Sequence, residues 1–324
     1  MVVIGGGDED GGAAFKRVVN EFENGRRATY LRVIMANPLH EKMPALAIVL
    51  IATCNGFTAA HVRQQWQIVK QKWDTHLRDV MGPLVGHGSD GDARRFNLQL
   101  ADMTSSAGKR YRVNWEGCRL SALTLEDGSV YGLHAQDSFH CSKKLQAPMN
   151  CPSRCLQIGK HQATWKHLRL VFDRFQPHEH GLRLRDVKRS DAMSVKIVQV
   201  TCTKKLRRCL RRLQTEPLEG QRPEDTLGTE IWLEVISLFL RVFFSENDSI
   251  ATRARNASTV LNFLRLKLHW IDNSRDYNVS ANCESKQCFQ HACLQLESAL
   301  LKIKYFGEFH RDVPLCLRKS GSDC

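Results

Sequence analysis

The chain has 324 residues, and its 47 lysines and arginines outnumber 34 aspartates and glutamates, which gives a formal charge of +13. This length allows about two domains with separate cores, and the positive charge favours a polyanionic partner, nucleic acid above all. The first residues lack the cationic and apolar segments of a secretory signal, and the early apolar run 45–54 is shorter than the roughly 20 residues of a membrane helix. We therefore expect an intracellular protein that has no membrane partner.

The first half alternates strand-like and helix-like segments. Apolar residues recur at three- and four-residue spacing through 59–80, which is typical of a helix with one buried face. They are Val62, Trp66, Val69, Trp73, Leu77 and Val80. Runs rich in β-branched and aliphatic residues, separated by turn-forming residues, indicate strands. The pattern predicts strands at 30–35, 45–53, 82–90, 109–115 and 129–133, and helices at 59–80 and 93–103. Their order is that of a mixed α/β sheet.

The second half changes to helical patterns. Apolar stripes at helical spacing predict helices at 163–175, 191–213, 229–244, 251–270 and 286–304. The run between Thr215 and Gly228, rich in proline and charged residues, indicates a polar linker or surface loop. We interpret this half as a helical domain, or as an all-α insertion whose parent sheet resumes beyond it, and divide the chain into residues 1–150 and residues 151–320.

The cysteines point to a reduced environment. There are 12, in a chain that is too long for a small disulfide scaffold and has no export signal, so free thiols are expected. Two groups have loose zinc-ligand spacing, although neither has the tight pairs of a strong zinc motif and the second follows a helical rhythm. The groups are Cys151, Cys155, His161 and His167, and Cys283, Cys288, His291 and Cys293.

Acidic residues follow two of the predicted strands. Asp90 and Asp92 stand in a glycine-flanked turn, and Asp137 with His140 follows the strand at 129–133. Carboxylates at strand ends can hold two divalent ions that activate a nucleophile and stabilise the leaving oxygen. The alternatives are a simple turn at Asp90, since Asp and Gly favour turns, and a surface hydrogen bond between Asp137 and His140.

Three motifs carry a resemblance to a known family. In order and rough spacing, Ser89-Asp90-Gly91, Asp137-Ser-Phe-His140-Cys-Ser-Lys143 and His167-Leu168-Arg169-Leu170 resemble elements of the P-element-like transposases and their THAP-type relatives. The resemblance implies a partial RNase H-like mixed α/β sheet followed by a mainly α-helical insertion domain that binds GTP. It also implies Asp90 as a catalytic metal ligand, with Asp92 as the local alternative, and Asp137 and His140 as an accessory catalytic pair. Mg²⁺ or Mn²⁺ would be the ion, and DNA in the nucleus would be the partner.

The sequence departs from that family at both ends. The family's first catalytic Asp would precede Tyr30, where only Asp8, Glu9 and Asp10 stand, and its last catalytic Glu would follow a turn that resembles 321–323. We therefore expect a catalytically inactive, transposase-derived protein with residual nucleic-acid binding. One alternative is an active metal-dependent transposase in which Asp8 or Asp10 and a partner chain complete the carboxylate set. The other is a non-enzymatic protein that binds nucleic acid or a nucleotide.

A basic amphipathic segment is the strongest candidate for phosphate contact. Its cations flank a stripe of Leu206, Leu210 and Leu213, which we expect to pack inward while the charges face solvent. Such a face is most often merely solvated. The alternatives are contact with phosphates of nucleic acid or of a nucleotide, and contact with a membrane surface. The cations are Lys204, Lys205, Arg207, Arg208, Arg211 and Arg212.

Overall fold

The computed structural model describes most of the chain. The described residues are 30–36, 46–53, 58–89, 93–104, 108–124, 130–151, 153–187, 195–215, 225–309, 315 and 317. Asp8, Asp10, Asp90, Asp92 and the predicted turn at 321–323 lie outside them.

Nine short strands form four small sheets within the described residues. They are β1 (Tyr30–Ala36), β2 (Leu46–Thr53), β3 (Gly88–Ser89), β4 (Lys109–Trp115), β5 (Cys118–Thr124), β6 (Val130–Tyr131), β7 (Ala135–Gln136), β8 (Leu156–Ile158) and β9 (His161–Ala163). The pairs β1–β2 and β8–β9 and the sheet β4–β5–β6 are antiparallel, whereas β3 and β7 are parallel. The predicted α/β character is confirmed, but these strands are not joined into one hydrogen-bonded sheet.

Thirteen helices lie within the described residues, most of them in the second half of the chain. They are α1 (Ala59–His76), α2 (Arg78–Met81), α3 (Ala93–Thr104), α4 (Ser138–Gln146), α5 (Trp165–Arg174), α6 (Pro177–His180), α7 (Leu184–Val187), α8 (Val195–Thr201), α9 (Lys204–Thr215), α10 (Leu227–Phe244), α11 (Ile250–Asp272), α12 (Val279–Asn282) and α13 (Lys286–Phe309). A 3₁₀ turn at Ala147–Asn150 follows α4. None of the helices in these described ranges is long and apolar enough to cross a membrane.

Local capping and turn chemistry explain two differences between these elements and the prediction. The predicted helix 191–213 is divided into α8 and α9, because the Thr203 hydroxyl accepts the amide of Leu206 at 3.3 Å and starts a new helix. The strand β5 was missed. It pairs with β4 across a two-residue turn in which Glu116 and Gly117 have φ values of 45° and 81°, the positive values that a tight hairpin turn requires.

A first apolar layer joins α1 to the β1–β2 hairpin. Trp66 and Val69, one turn apart on α1, are buried with Ile34 of β1, and Leu84 and Leu98 pack on the same group. The three- and four-residue spacing read from the sequence identifies the four buried residues of α1 correctly. The helix ends at His76, before the predicted end at residue 80, and Val80 is 83% exposed on α2.

The main core runs across residue 150. Its buried residues extend from Val113 on β4 to Leu317, and they include Leu145 on α4 and Trp232 on α10. The helix α13 lies near the end of the predicted helical half, yet it packs against β4, β5, β7 and α4. The division at residue 150 stays a prediction, and the return of α13 to the strands is what an insertion between two parts of one domain would produce.

Candidate functional site

The parallel pair β3–β7 brings two predicted strand ends together. Ser89 lies opposite Gln136, and the amide of Asp137 donates to the carbonyl of Ser89 at 2.9 Å. Asp90 is the residue after Ser89 and, like Asp92, lies outside the described residues. The strand that leads to Asp90 and the strand that leads to Asp137 are therefore neighbours.

The lack of a side chain at Gly86 allows the backbone segments just before β3 and β7 to approach each other closely. The amides of Gly132 and Leu133 both donate to the carbonyl of Val85, at 3.0 and 2.9 Å. A Cβ atom at Gly86 would lie 2.6 Å from the carbonyl oxygen of Leu133. Because that distance is far inside van der Waals contact, only glycine permits the close approach of the two backbones.

Asp137 and His140 are in contact, and Asp137 also caps a helix. Its Oδ1 accepts the amides of Phe139 at 2.8 Å and of His140 at 3.0 Å, at the start of α4. Its Oδ2 lies 3.2 Å from Nδ1 of His140. The carboxylate satisfies amides that a helix start otherwise leaves unpaired. This geometry accounts for the pair as ordinary capping, and their catalytic role stays a prediction.

Buried amide side chains brace the strand ends from two helices. Gln295 on α13 accepts the amide of Gln136 at 2.5 Å and donates to the hydroxyl of Ser138 at 2.7 Å. From α3, Gln99 donates to the carbonyl of His87 at 2.8 Å and also accepts from the Gln136 side chain. A buried network that satisfies its members in this way holds a single arrangement.

A His–Asp–His cluster, which sequence reasoning missed, lies beside this network. Ligand atoms of His87, Asp102 and His134 all lie within 4.8 Å of one another, so the group could hold a metal ion. Nε2 of His134 is 3.4 Å from Oδ2 of Asp102, and these side chains are 0% and 25% exposed. In the sequence, His87 and His134 each lie close to glycine just before a strand end, and this pattern could have identified them as candidates. Nothing in the sequence around Asp102, which lies on α3, suggested a metal ligand.

The surroundings of the cluster keep both imidazoles neutral. Burial is the main cause that lowers the pKa of His87 and of His134. Burial also lowers the pKa of Lys302, whose positive charge acts on His134, to about 7. Both ring nitrogens of His87 are buried without a hydrogen-bond partner. An unpaired buried polar atom is costly, so these nitrogens require a partner that the polypeptide does not supply.

The basic helix α9 is partly neutralised by its neighbours. Arg207 pairs with Glu234, and Arg211 pairs with Glu230. Arg212 lies 2.6 Å from Glu179 and stacks 4.7 Å from the ring centre of Phe175. The leucine stripe is buried as predicted. The expectation that all six charges face solvent fails for Arg207, whose side chain is only 11% exposed. Arg211 and Arg212 do face solvent, but carboxylates of α10 and α6 partly neutralise them.

The other cations of α9 are exposed. Lys204, Lys205 and Arg208 lie on its outer face, and the ammonium of Lys205 reaches the carbonyl of His178 only at 3.5 Å. A phosphate-contacting face on α9 would therefore depend on these three residues. Their role in nucleic-acid binding stays a prediction.

Neither predicted zinc pattern forms a site. His87, Asp102 and His134 are the one metal-compatible group found among the described residues, which include all eight predicted ligands. His161 instead pairs with Asp225 at 2.8 Å, and His167 lies 2.7 Å from the hydroxyl of Thr229. Neither candidate group comes together as a zinc site within the described residues, because residues spaced loosely along the sequence did not converge in space.

A polar cleft opens where α5 begins. It has a volume of about 480 Å³, and its lining includes Arg154, Lys166, Arg169 and Trp165. Thr164 caps α5, accepting the amide of Lys166 at 3.4 Å. Cations beside the first turn of a helix favour an anion.

The described strand-end residues do not by themselves fit Mg²⁺ or Mn²⁺. These ions prefer several oxygen ligands, whereas Asp137 is occupied as a cap and His140 offers nitrogen. The His–Asp–His cluster has one carboxylate and two imidazoles, a donor set for a softer ion. The Mg²⁺ or Mn²⁺ expectation rests on Asp90 and Asp92, which lie outside the described residues, and it stays a prediction.

Comparison with known proteins shows the fold and not the family. No family model matches the sequence, and no curated protein matches it. The structure is similar to a chain of the Drosophila P element transposase strand transfer complex, with a TM-score of 0.60 and 12% sequence identity. The match covers 88% of this chain and 60% of that chain, so this chain spans less than two thirds of its structural neighbour. The chain therefore has a transposase-like fold.

Proposed function

We propose that the protein is derived from a transposase, binds nucleic acid and has no strand-transfer activity. The observation that carries the proposal is the transposase-like fold over 88% of the chain. The parallel strands that lead to Asp90 and Asp137, in the order the motifs predict, support the same origin. We expect the protein to act in the nucleus, which microscopy of the tagged full chain tests.

Loss of activity is supported by the environment of the described strand-end carboxylate. Two-metal chemistry requires several converging carboxylates, and the described strand-end carboxylate, Asp137, caps α4. Incubation of the full chain with DNA and Mg²⁺ or Mn²⁺ should give neither cleavage nor joining. Cleavage that disappears in Asp90→Ala and persists in the surface variant Asp79→Ala would show that the protein is an active enzyme.

Nucleic-acid binding is supported by the net charge and by the exposed part of α9. A triple variant with Lys204, Lys205 and Arg208 replaced by Gln removes the cations of the outer face and leaves the ion pairs of Arg207, Arg211 and Arg212. The matched control replaces Lys109, Arg112 and Arg119, which are exposed on the β4–β5 hairpin, and changes the net charge equally.

Fluorescence anisotropy with nonspecific duplex DNA across a salt series separates the two variants. Each lost phosphate contact should flatten the slope of log affinity against log salt by about 0.9. We expect a flattening of up to about 2.7 for three contacts in the α9 variant and a smaller change in the control. Equal slopes in the two variants would assign α9 to a solvated face.

GTP binding is a separate proposal, supported by the cleft at the start of α5. Arg154, Lys166 and the first turn of α5 converge on a cleft large enough for a small ligand. A fluorescent GTP analogue with Mg²⁺ should bind the full chain, and Lys166→Gln should weaken binding about tenfold, the value of one charged hydrogen bond. Lys160→Gln, an exposed cation on the β8–β9 turn, is the control and should leave affinity unchanged.

A further inference from the structure

We propose that His87, Asp102 and His134 form a site for one zinc-class divalent ion that ties α3 to the strands β3 and β7. Their ligand atoms lie within 4.8 Å of one another, and Nε2 of His134 lies 3.4 Å from Oδ2 of Asp102. In a tetrahedral site with bonds of about 2.1 Å, neighbouring ligand atoms are about 3.4 Å apart. One edge of the site therefore already has the required length.

The unpaired nitrogens of His87 are the independent sign of a missing ligand. The His87 side chain is only 8% exposed, and neither of its ring nitrogens has a hydrogen-bond partner. Its ring is held 4.4 Å from both the Trp66 ring and the His134 ring, measured between ring centres. Burial of an imidazole without a partner is unfavourable, and an ion bound to one nitrogen would remove that cost.

The carboxylate of the cluster is oriented by a chain of hydrogen bonds. The indole of Trp66 donates to the Tyr131 hydroxyl at 2.7 Å, and that hydroxyl lies 3.4 Å from Oδ2 of Asp102. Partners behind a ligand fix its position and strengthen metal binding. Asp102 is also the one cluster residue with substantial exposure, and it provides a route for the ion from solvent.

The donor set selects the ion. Two neutral imidazoles and one carboxylate suit Zn²⁺ and other first-row transition ions, while Mg²⁺ and Ca²⁺ require mostly oxygen ligands. Three protein ligands leave a fourth position for water. The proposed ligands do not include Asp90 or Asp137, and the proposal does not depend on the proposed nucleic-acid function.

The ligand set predicts which proton moves when the ion binds. Nδ1 of His134 faces the amide of His87 at 3.3 Å, so the imidazole proton of the metal-free protein lies on Nε2. Binding of the ion at Nε2 moves that proton to Nδ1 and breaks the long amide contact. His87 binds through an existing lone pair, so the site needs no thiolate ligand. Coordination by cysteine thiols would release protons, because thiols bind metals as thiolates.

Titration of the metal-free full chain with Co²⁺ and Zn²⁺ tests the proposal. We expect one ion per chain, visible d–d absorption with Co²⁺ and no thiolate charge-transfer band. Asp102→Asn should weaken Zn²⁺ at least tenfold, whereas the exposed control Asp79→Asn should bind as the wild type does.

A second variant keeps the test decisive if Asp102→Asn folds poorly. His87→Phe preserves the ring packed against Trp66 and removes both unpaired nitrogens, so it should raise the Tm of the metal-free protein and abolish metal binding. A lower metal-free Tm in His87→Phe, undiminished binding in either cluster variant, a thiolate band, or no binding at micromolar Zn²⁺ would each overturn the proposal.

Discussion

At the scale of single residues, Asp137 satisfies a local structural need at a position where the resemblance predicts catalysis. One of its oxygens accepts two amides at the start of α4, and the other faces His140. A capping side chain stabilises a helix that directly follows a strand end in any protein, active or not. The helix start is therefore sufficient to explain an Asp at this position.

Substitution of Asp137 separates capping from charge. Asp137→Ala should lower the free energy of unfolding by about 1 kcal/mol, because two amides of α4 lose their acceptor. Asp137→Asn should cost no more than a few tenths of that, since Asn is an equally good cap. Urea denaturation of the metal-free protein measures both. Equal destabilisation by Asn and Ala would contradict the capping account.

The buried amine of Lys302 predicts a pH-dependent stability. Burial lowers its pKa from 10.5 to about 7. Between these values the unfolded chain binds one more proton than the folded chain, so the contribution of Lys302 to stability rises with pH. Lys302→Met should therefore be stabilising at pH 7, and its advantage over the wild type should shrink by about 2 kcal/mol by pH 9.

Denaturant unfolding of both metal-free proteins at pH 7, 8 and 9 measures this difference. Burial raises the pKa of the Cys141 and Cys202 thiols to about 12, which makes stability fall with pH above the ordinary thiol pKa. That effect is present in both proteins and cancels in the comparison. A difference that stays constant with pH would show that Lys302 does not titrate in this range.

At the scale of elements, the parallel pair β3–β7 is too short to be stable alone. Each strand contributes two residues to the ladder, and the pair is held by Gln99 from α3 and Gln295 from α13. Isolated strand pairs are marginal in water. The strand ends thus depend on helices that are distant in sequence.

Gly86 offers a direct test of this packing. Gly86→Ala places a methyl group 2.6 Å from the Leu133 carbonyl oxygen, and forced overpacking of this kind should cost about 1–3 kcal/mol. The matched control is Gly307→Ala on α13, where a Cβ has no neighbour within 4 Å. This substitution should stabilise the helix by up to about 1 kcal/mol. Thermal unfolding followed by circular dichroism measures both changes. Equal effects of the two variants would contradict the close approach of β3 and β7.

At the scale of the whole molecule, one core connects the strands of the first half with the helices of the second. Trp232 of α10 is fully buried and donates to the carbonyl of Leu145 on α4 at 2.9 Å. Tyr111 of β4 donates to Glu308 of α13 at 2.5 Å. Contacts of this kind couple the stability of the two halves.

Truncation tests that coupling. A chain that ends at residue 150 lacks α10 and α13 and exposes the apolar surfaces they cover, so we expect it to lack a cooperative unfolding transition. A chain that ends at residue 309 keeps both helices and should unfold cooperatively. Circular dichroism and limited proteolysis distinguish the two. A cooperative transition in the shorter chain would establish residues 1–150 as an independent domain.

Sequence periodicity by itself identified the longer helices of the second half and the buried faces of α1 and α9. The apolar spacing on α1 and the leucine stripe of α9 identified their buried faces, because a helix repeats every 3.6 residues whatever surrounds it. The motifs also placed Asp90 and Asp137 after strands, and the ends of those strands are neighbours in the structure. The helix start at Thr203 and the hairpin turn at Glu116 also depend on local residues, but the prediction did not include them.

Only the tertiary structure decided which distant side chains meet. His87 and His134 are 47 residues apart, and Gln136 and Gln295 are 159 apart. Chain packing, which no local pattern encodes, brings each pair together. The same packing places carboxylates of α6 and α10 in ion pairs with three of the six cations of α9. It also keeps the candidate zinc ligands apart. Local sequence specifies the conformation of each segment, whereas the chemistry of a site depends on non-local contacts formed when the core is buried.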